Sequence, residues 1–388
     1  MNEALTWREA FFEKRQRGRT PDGVFLLLVL CLLVCGTVMS YSASSVYGEQ
    51  FYGDSTYFLR RYLLFAVLSV AITAPVVLFA KPHFFRVFGV GLYAVSIFLL
   101  VLVLLIGTVG GGAQRWLVLG PLTIQPSEVA KLGLVMMLAL ALSKHEDRIL
   151  SLKPRGGAFR YGVLLPGALI GLVCVLVAAE KHISGLLIIG MLGVAMMFLG
   201  GTRARYLLLM ALAVALAGSV LVLVSSYAQV RVDTWLHIEE VDPLGSAWQT
   251  LQGLYAIGSG GFFGQGLFEG RQKHGYVSQP QNDFIFTVIC EELGFIGAFF
   301  ILLLFVLLVL RGFRIASRAP DRFSALVVYG ISFKLALQTL LNVAVVTNSM
   351  PNTGVSLPFF SSGGTFLAMQ IFEMGIVLAI SRYSTQTR

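Results

Sequence analysis

The chain has 388 residues, of which 56% are hydrophobic and 13% charged, with a formal net charge of +9. Soluble domains carry about 25% charged residues and disordered chains pair low hydrophobicity with high net charge, so both classes are excluded. The composition fits an all-α polytopic membrane protein, read here as a single integral membrane domain over residues 1–388.

Ten apolar segments follow in chain order: 24–42, 62–80, 86–107, 126–142, 161–179, 183–200, 206–226, 284–310, 323–347 and 364–381. Most approach the ~20 residues that a helix needs to cross a bilayer core. An even number puts both termini on one side. On that side fall 20 of the 29 Lys and Arg and seven of the 20 Asp and Glu, giving +13 against −4 for the remainder. The positive-inside rule makes that side cytoplasmic, together with the tail 1–23. Residues 227–283 then form a large extracytoplasmic loop between spans 7 and 8. It is rich in Gly and holds Trp235 and Trp248, so it is expected to fold back on the outer face, partly as amphipathic helix.

Several chemistries are absent from the pattern. Cys31, Cys35, Cys174 and Cys290 sit inside apolar runs, without metal or disulfide-framework spacing. The five histidines show no zinc signature, and there is no Walker A or nucleophile elbow. No nucleotide is expected, and the basic balance reads as topology and membrane lipid contact, not nucleic-acid binding.

Ionisable groups in or beside spans are functional candidates because they are costly there. In Gln125-Pro126-Ser127-Glu128-Val129-Ala130-Lys131, Ser127 can cap a helix, and Glu128 and Lys131 share one helix face. With Arg115 just upstream, they read either as an anchor plus a neutralised ion pair or as a polar wall facing an anionic substrate. Asp283 ends the long loop at a span mouth, where it reads as a helix-terminal carboxylate or as a general base. Arg271, Lys273 and His274 upstream suit phosphate. Glu291, deeper in the span, suits a buried polar network. Lys334, Gln338 and Asn342, four apart, make a polar stripe with Gln370 and Glu373 as candidate partners: interhelical glue or a groove wall. The turn from Pro351 to Thr365, with Ser361, Gly363 and Gly364 ahead of a helix, is a rigid turn or an anion cradle.

Together these motifs resemble the SEDS family (shape, elongation, division and sporulation), whose members include FtsW, RodA and SpoVE. Four stretches in family order carry the resemblance: Met39 to Ser45; Arg115-Trp116 with Gln125 to Lys131; Ala256 to Gly266 through Gln272-Lys273 to Asn282-Asp283-Phe284-Ile285-Phe286 and Glu291-Glu292-Leu293-Gly294; and Pro351 to Gly364. The Ser-Ala-Ser motif and the double Gly look more like FtsW or SpoVE than RodA. Departures stand at Phe268-Glu269-Gly270, Ser278-Gln279, Lys181-His182-Ile183-Ser184 and Ser362.

The resemblance implies a peptidoglycan glycosyltransferase of the bacterial cytoplasmic membrane. It would polymerise lipid II with a class B penicillin-binding protein and other division or elongation proteins, with a divalent Mg or Mn ion as helper. It maps the family's essential Asp onto Asp283 and its fourth-span Glu and Lys onto Glu128 and Lys131. On this reading Asp283 is the base, and Arg115, Lys273 and Arg271 hold the leaving diphosphate. The rivals are a lipid II flippase, which would use the Lys334 stripe, and a non-enzymatic division scaffold.

Overall fold

The computed structural model describes residues 20–110, 113–120, 122–151, 157–224, 226–238, 240, 245, 247–278, 280–361 and 364–384. Among these described residues, eight helices are long and apolar enough to cross a membrane. They are α1 (Gly23–Tyr52), α2 (Tyr57–Phe79), α3 (Phe84–Ile106), α4 (Pro126–Lys144), the Arg160–Leu164 π-turn running into α6 (Leu165–Ala179), α11 (Ile285–Ala316), α12 (Arg322–Val346) and α13 (Gly364–Ser381). Two further apolar helices, α7 (Ile183–Leu199) and α8 (Ala204–Val224), coincide with the remaining apolar segments. Short α5 (Glu146–Leu150) follows α4, while α9 (Ser226–Leu236) and α10 (Trp248–Gly260) fall in the long 227–283 segment.

Burial sorts the spans by chemistry. In α4, α12 and α13, 78%, 72% and 72% of the spanning window is buried, against 22–39% in the other five. These three are also the least apolar of the eight. Lipid accepts hydrocarbon at any position, but a charge must face protein, so the polar spans are driven to the centre. There α4 packs on α3, α12 and α7, and α13 packs on α2.

Helix ends follow local sequence. Asp22 caps α1, its Oδ1 accepting from the Phe25 N–H at 2.9 Å, and also takes the Arg311 guanidinium at 2.8 Å. Gly53, at φ +66°, ends the helix in the left-handed conformation a Cβ disfavours. The α4 terminus corrects one expectation. The helix begins at Pro126, where no N–H is needed, with Gln125 in the cap position. Ser127 therefore lies inside the first turn and does not cap it. Between α3 and α4 runs a three-stranded antiparallel sheet of β1 (Thr108–Gly110), β2 (Ala113–Leu119) and β3 (Leu122–Ile124), with Leu117 opposite Ile124. It carries Arg115 on its middle strand.

α11 is broken at Gly294 (φ +66°, ψ −170°). The break orphans backbone groups, and the glycine-rich turn after α10 satisfies them. The N–H groups of Gln265 and Gly266 donate to the carbonyls of Glu291 and Glu292 at 2.9 and 3.1 Å. The N–H groups of Phe295 and Ile296 donate to those of Gly261 and Phe262 at 2.9 and 3.2 Å. A Cβ on Gly264 would stand 2.1 Å from the Glu292 carbonyl oxygen, so the approach demands glycine there. Irregular backbone within a span is tolerated where protein supplies such partners.

Candidate functional site

Asp283 lies two residues before α11 and is only partly exposed. Its carboxylate does not cap the helix. Oδ1 accepts a 2.7 Å hydrogen bond from Ser356 Oγ, and Oδ2 lies 2.9 Å from where a Cβ on Gly354 would stand. Asn342 pins the same place through the backbone, its Nδ2 donating to the carbonyls of Asp283 (2.8 Å) and Val355 (2.6 Å). Ser361 Oγ donates to the Asn282 carbonyl at 2.8 Å. The 351–361 turn is thus stitched to the residues that present Asp283. Burial pushes the Asp283 carboxyl above the usual carboxylate range, opposed by the Ser356 hydrogen bond and then the positive charges of Arg115 and Arg231.

Arg115 and Arg231, both within electrostatic reach of Asp283, line a cavity of about 200 Å³ together with Lys181, Ser184, Pro351 and Thr353, among others; Asp283 itself is not among its lining residues. The cavity's three cations come from β2, the α6–α7 link and α9. Arg231 is anchored by a hydrogen bond to the Asn352 carbonyl. Lys181 holds φ +57°, uncommon for a residue with a Cβ and consistent with a functional constraint. An open cavity with cations from three elements suits an anion of more than one charge.

A smaller polar cavity of about 30 Å³ shares Ser184 and is lined by Gln125, Glu128, Lys131, His182, Gln338 and Ser356. That volume holds roughly one or two waters. Lys131 donates to Glu128 at 2.6 Å. Lys334 pairs with Glu373, and the four charges lie within electrostatic reach of one another, all at or below 5% exposure. His182 shares a 3.2 Å hydrogen bond with Ser127. Burial, and then the charges of Arg115 and Lys131, lower its pKa to about 3, so it is a neutral ring at physiological pH.

The remaining candidates lie elsewhere. Lys273 is 4% exposed and bonded to Glu292 (2.7 Å), Ser42 Oγ (3.1 Å) and the Phe268 carbonyl (2.8 Å). Ser42 also donates to Glu292 at 2.6 Å. Glu291 accepts from the backbone N–H groups of Arg271 and Gln272 at 2.8 and 3.1 Å. These bonds lock the α11 break, and Lys273 does not line the Arg115 cavity. The Arg271 side chain is exposed. Gly364 is buried, a Cβ there meeting the Phe65 ring at 2.5 Å. Gly363, like Ser362 and Gln279, lies outside the described residues.

Reading the sequence missed Lys181, Arg231 and Ser356. Lys181 was legible as a cation in a link of three residues between two spans. Arg231 stood in the long segment with nothing local to pick it out.

Among the described residues no three His, Cys, Asp or Glu converge as metal ligands. A divalent ion would find Asp283 within reach of two arginines, which does not fit a protein-held metal centre.

Comparison with known proteins agrees with this architecture. The family described as "Cell cycle protein", of FtsW, RodA and SpoVE, matches residues 23–386. Stage V sporulation protein E of Bacillus subtilis is 39% identical over 94% of this chain and 98% of its own length. The probable peptidoglycan glycosyltransferase FtsW of Trichlorobacter lovleyi is 40% identical over 93% of each. The crystal structure of the Thermus thermophilus rod shape determining protein RodA superposes with a TM-score of 0.69 at 27% identity, over 94% of this chain and 98% of that one. A structure titled for the coordination of polymerization and crosslinking by a peptidoglycan synthase complex gives 0.75 at 30% identity, over 94% and 99%. The chain belongs to the FtsW, RodA and SpoVE family of bacterial membrane proteins.

Proposed function

We propose that the protein is a peptidoglycan glycosyltransferase that polymerises lipid II on the outer face of the cytoplasmic membrane, with both of its termini inside. The names of the FtsW relatives support the reaction class. The observation that carries the reading is the Asp283 carboxylate within electrostatic reach of Arg115 and Arg231, which with Lys181 line a cavity.

Lipid II carries an α-linked sugar diphosphate, and a β-1,4 glycan requires inversion at the anomeric carbon. One displacement accomplishes this. The acceptor 4-hydroxyl oxygen bonds to C1 as the C1–O bond to the diphosphate breaks. Asp283 takes the hydroxyl proton, and the electron pair leaves with the diphosphate. Arg115, Lys181 and Arg231 stabilise that growing charge in a partly desolvated site. Raised basicity suits Asp283 to the task, and Ser356 holds its carboxylate in place. Any Mg or Mn ion would arrive with the diphosphate, and no step here depends on one.

The crosslinking half of the synthase neighbour supports a transpeptidase partner, here a class B penicillin-binding protein within the division or elongation machinery. A flippase is less well supported. Lys334 is paired with Glu373 and Asn342 is bonded to backbone, so two of the three polar residues of the stripe that a transporter would use are engaged within the protein. The test is labelled lipid II with purified protein and partner in detergent, where transport has no meaning. Glycan polymer is the expected product, and its absence with a correctly assembled pair contradicts the proposal.

A further inference from the structure

Far from Asp283 in sequence, a second charged feature has no part in the proposed reaction. It is built from α5, the π-turn that opens α6, and the start of α8. Arg148 donates to the Tyr161 hydroxyl at 2.6 Å and lies 4.9 Å above the Tyr161 ring centre. Arg160 lies 5.6 Å from the same ring, and His145 stacks on it at 4.2 Å. Arg205 stands 4.8 Å over Tyr206, whose ring meets Phe159 at 5.5 Å. That last contact joins the α6 segment to α8, and Thr202 bonded to the Gly162 carbonyl at 2.9 Å reinforces it.

Arg148, Arg160 and Arg205 are all exposed. None forms a salt bridge with a described carboxylate. Of the nearby acids, Glu146 is paired with Arg322 at 3.3 Å and Asp147 is exposed. The rings hold the guanidinium groups in place without neutralising them, as cation–π contacts do. Their planar N–H forks match the geometry of a phosphate. Apolar surface adjoins the cations: Phe159, Leu164, Phe198 and Leu208 are 50%, 54%, 67% and 71% exposed. Phe198 is near the end of α7, which packs against both α6 and α8. A soluble phosphate has no use for that apolar surface, whereas acyl chains do.

We propose that this surface is a binding site for an anionic phospholipid. The phosphate would lie across Arg148, Arg160 and Arg205, and the acyl chains would run along the exposed faces of α6, α7 and α8. Attraction to each basic residue near an anionic headgroup adds to the apolar contact. The site is separate from the Asp283 cavity, so it stands whether or not the proposed reaction is right.

The test uses the full-length protein in a neutral detergent, with phosphatidylglycerol and phosphatidylcholine of identical acyl chains, read by native mass spectrometry. Phosphatidylglycerol should be retained at least about ten-fold better. The Arg148→Gln, Arg160→Gln, Arg205→Gln triple variant should lose that preference, and Arg314→Gln, at another exposed basic position, should keep it. Should the triple variant misfold, phosphatidylglycerol with a diazirine in its acyl chain is photo-crosslinked to the wild-type protein. Labelling is expected on peptides spanning 159–164 and 198–212. Equal retention of the two lipids, a preference unchanged in the folded triple variant, displacement by millimolar inorganic phosphate, or crosslinks elsewhere would each overturn the proposal.

Discussion

Ser356 Oγ donates a 2.7 Å hydrogen bond to Oδ1 of Asp283, joining the last loop of the chain to the mouth of α11. The bond spans 73 residues of sequence and holds the carboxylate of the proposed base. A hydrogen bond to an ionised group contributes about 1.5–3 kcal/mol. Ser356→Ala should therefore lower kcat by roughly ten-fold or more, with little change in the binding of lipid II. Steady-state polymerisation rates measured across lipid II concentrations check the split between kcat and KM.

The pH profile tests the electrostatics. Burial raises the Asp283 pKa, so the carboxylate is the active form only above a pH higher than the ordinary value near 4. Activity should fall on acidification from that higher pH. Arg115 and Arg231 oppose the rise. Removing either positive charge, as in Arg115→Gln, should move the acid limb upward by roughly half a pH unit or more. A limb that stays put in both variants would detach these arginines from Asp283.

Glu180 gives a stability prediction of opposite sense to a salt-bridged acid. It is 1% exposed and its pKa is pushed up to about 8 by burial. The folded state therefore binds a proton that the unfolded state releases above its ordinary value near 4.5, and stability declines as pH rises from there to about 8. Glu180→Gln should remove that decline, stabilising the protein by a few kcal/mol at pH 8 and hardly at all near pH 4. Thermal unfolding in detergent at the two pH values reads it.

The broken helix makes a separate claim. Gly264 holds φ +81° and sits against the Glu292 carbonyl, so Gly264→Ala strains the backbone and pushes the turn off α11. A loss of about 3 kcal/mol or more is expected, with early thermal unfolding. Lys273→Met should also destabilise, by roughly 3–5 kcal/mol, because it strands the buried Glu292. The effect of Lys273→Met should appear as lost folded protein; a normally folded variant with no polymerisation would return Lys273 to the chemistry.

Much of the fold was legible because the bilayer imposes one rule on every span. The apolar segments could be read from hydropathy; among the described residues eight fall on helices long and apolar enough to span, and the other two on α7 and α8. The site was legible only in part. Asp283 stood out as an acid at a span mouth, and Glu128 with Lys131 as charges three apart on one helix. Lys273 and Arg271 were attractive beside Asp283 in sequence, yet the break at Gly294 turns that stretch toward Ser42 and Glu292. Conversely, Lys181 and Arg231 are distant in sequence from Arg115, and only the packing of the α6–α7 link, α9 and the 351–361 turn brings them to one cavity. Spacing along a helix reports neighbours on that helix. It cannot report which loops meet above it.

The central claim is that Asp283 takes the acceptor proton. The direct measurement is the polymerisation rate of Asp283→Asn, purified with its transpeptidase partner and shown to be folded and assembled, on labelled lipid II. Asn keeps the shape and can still accept the Ser356 hydrogen bond, but it cannot act as the base. The account predicts a rate reduced by about 10²–10⁴-fold with lipid II binding retained. A rate within about two-fold of wild type, in a folded and assembled complex, would contradict it.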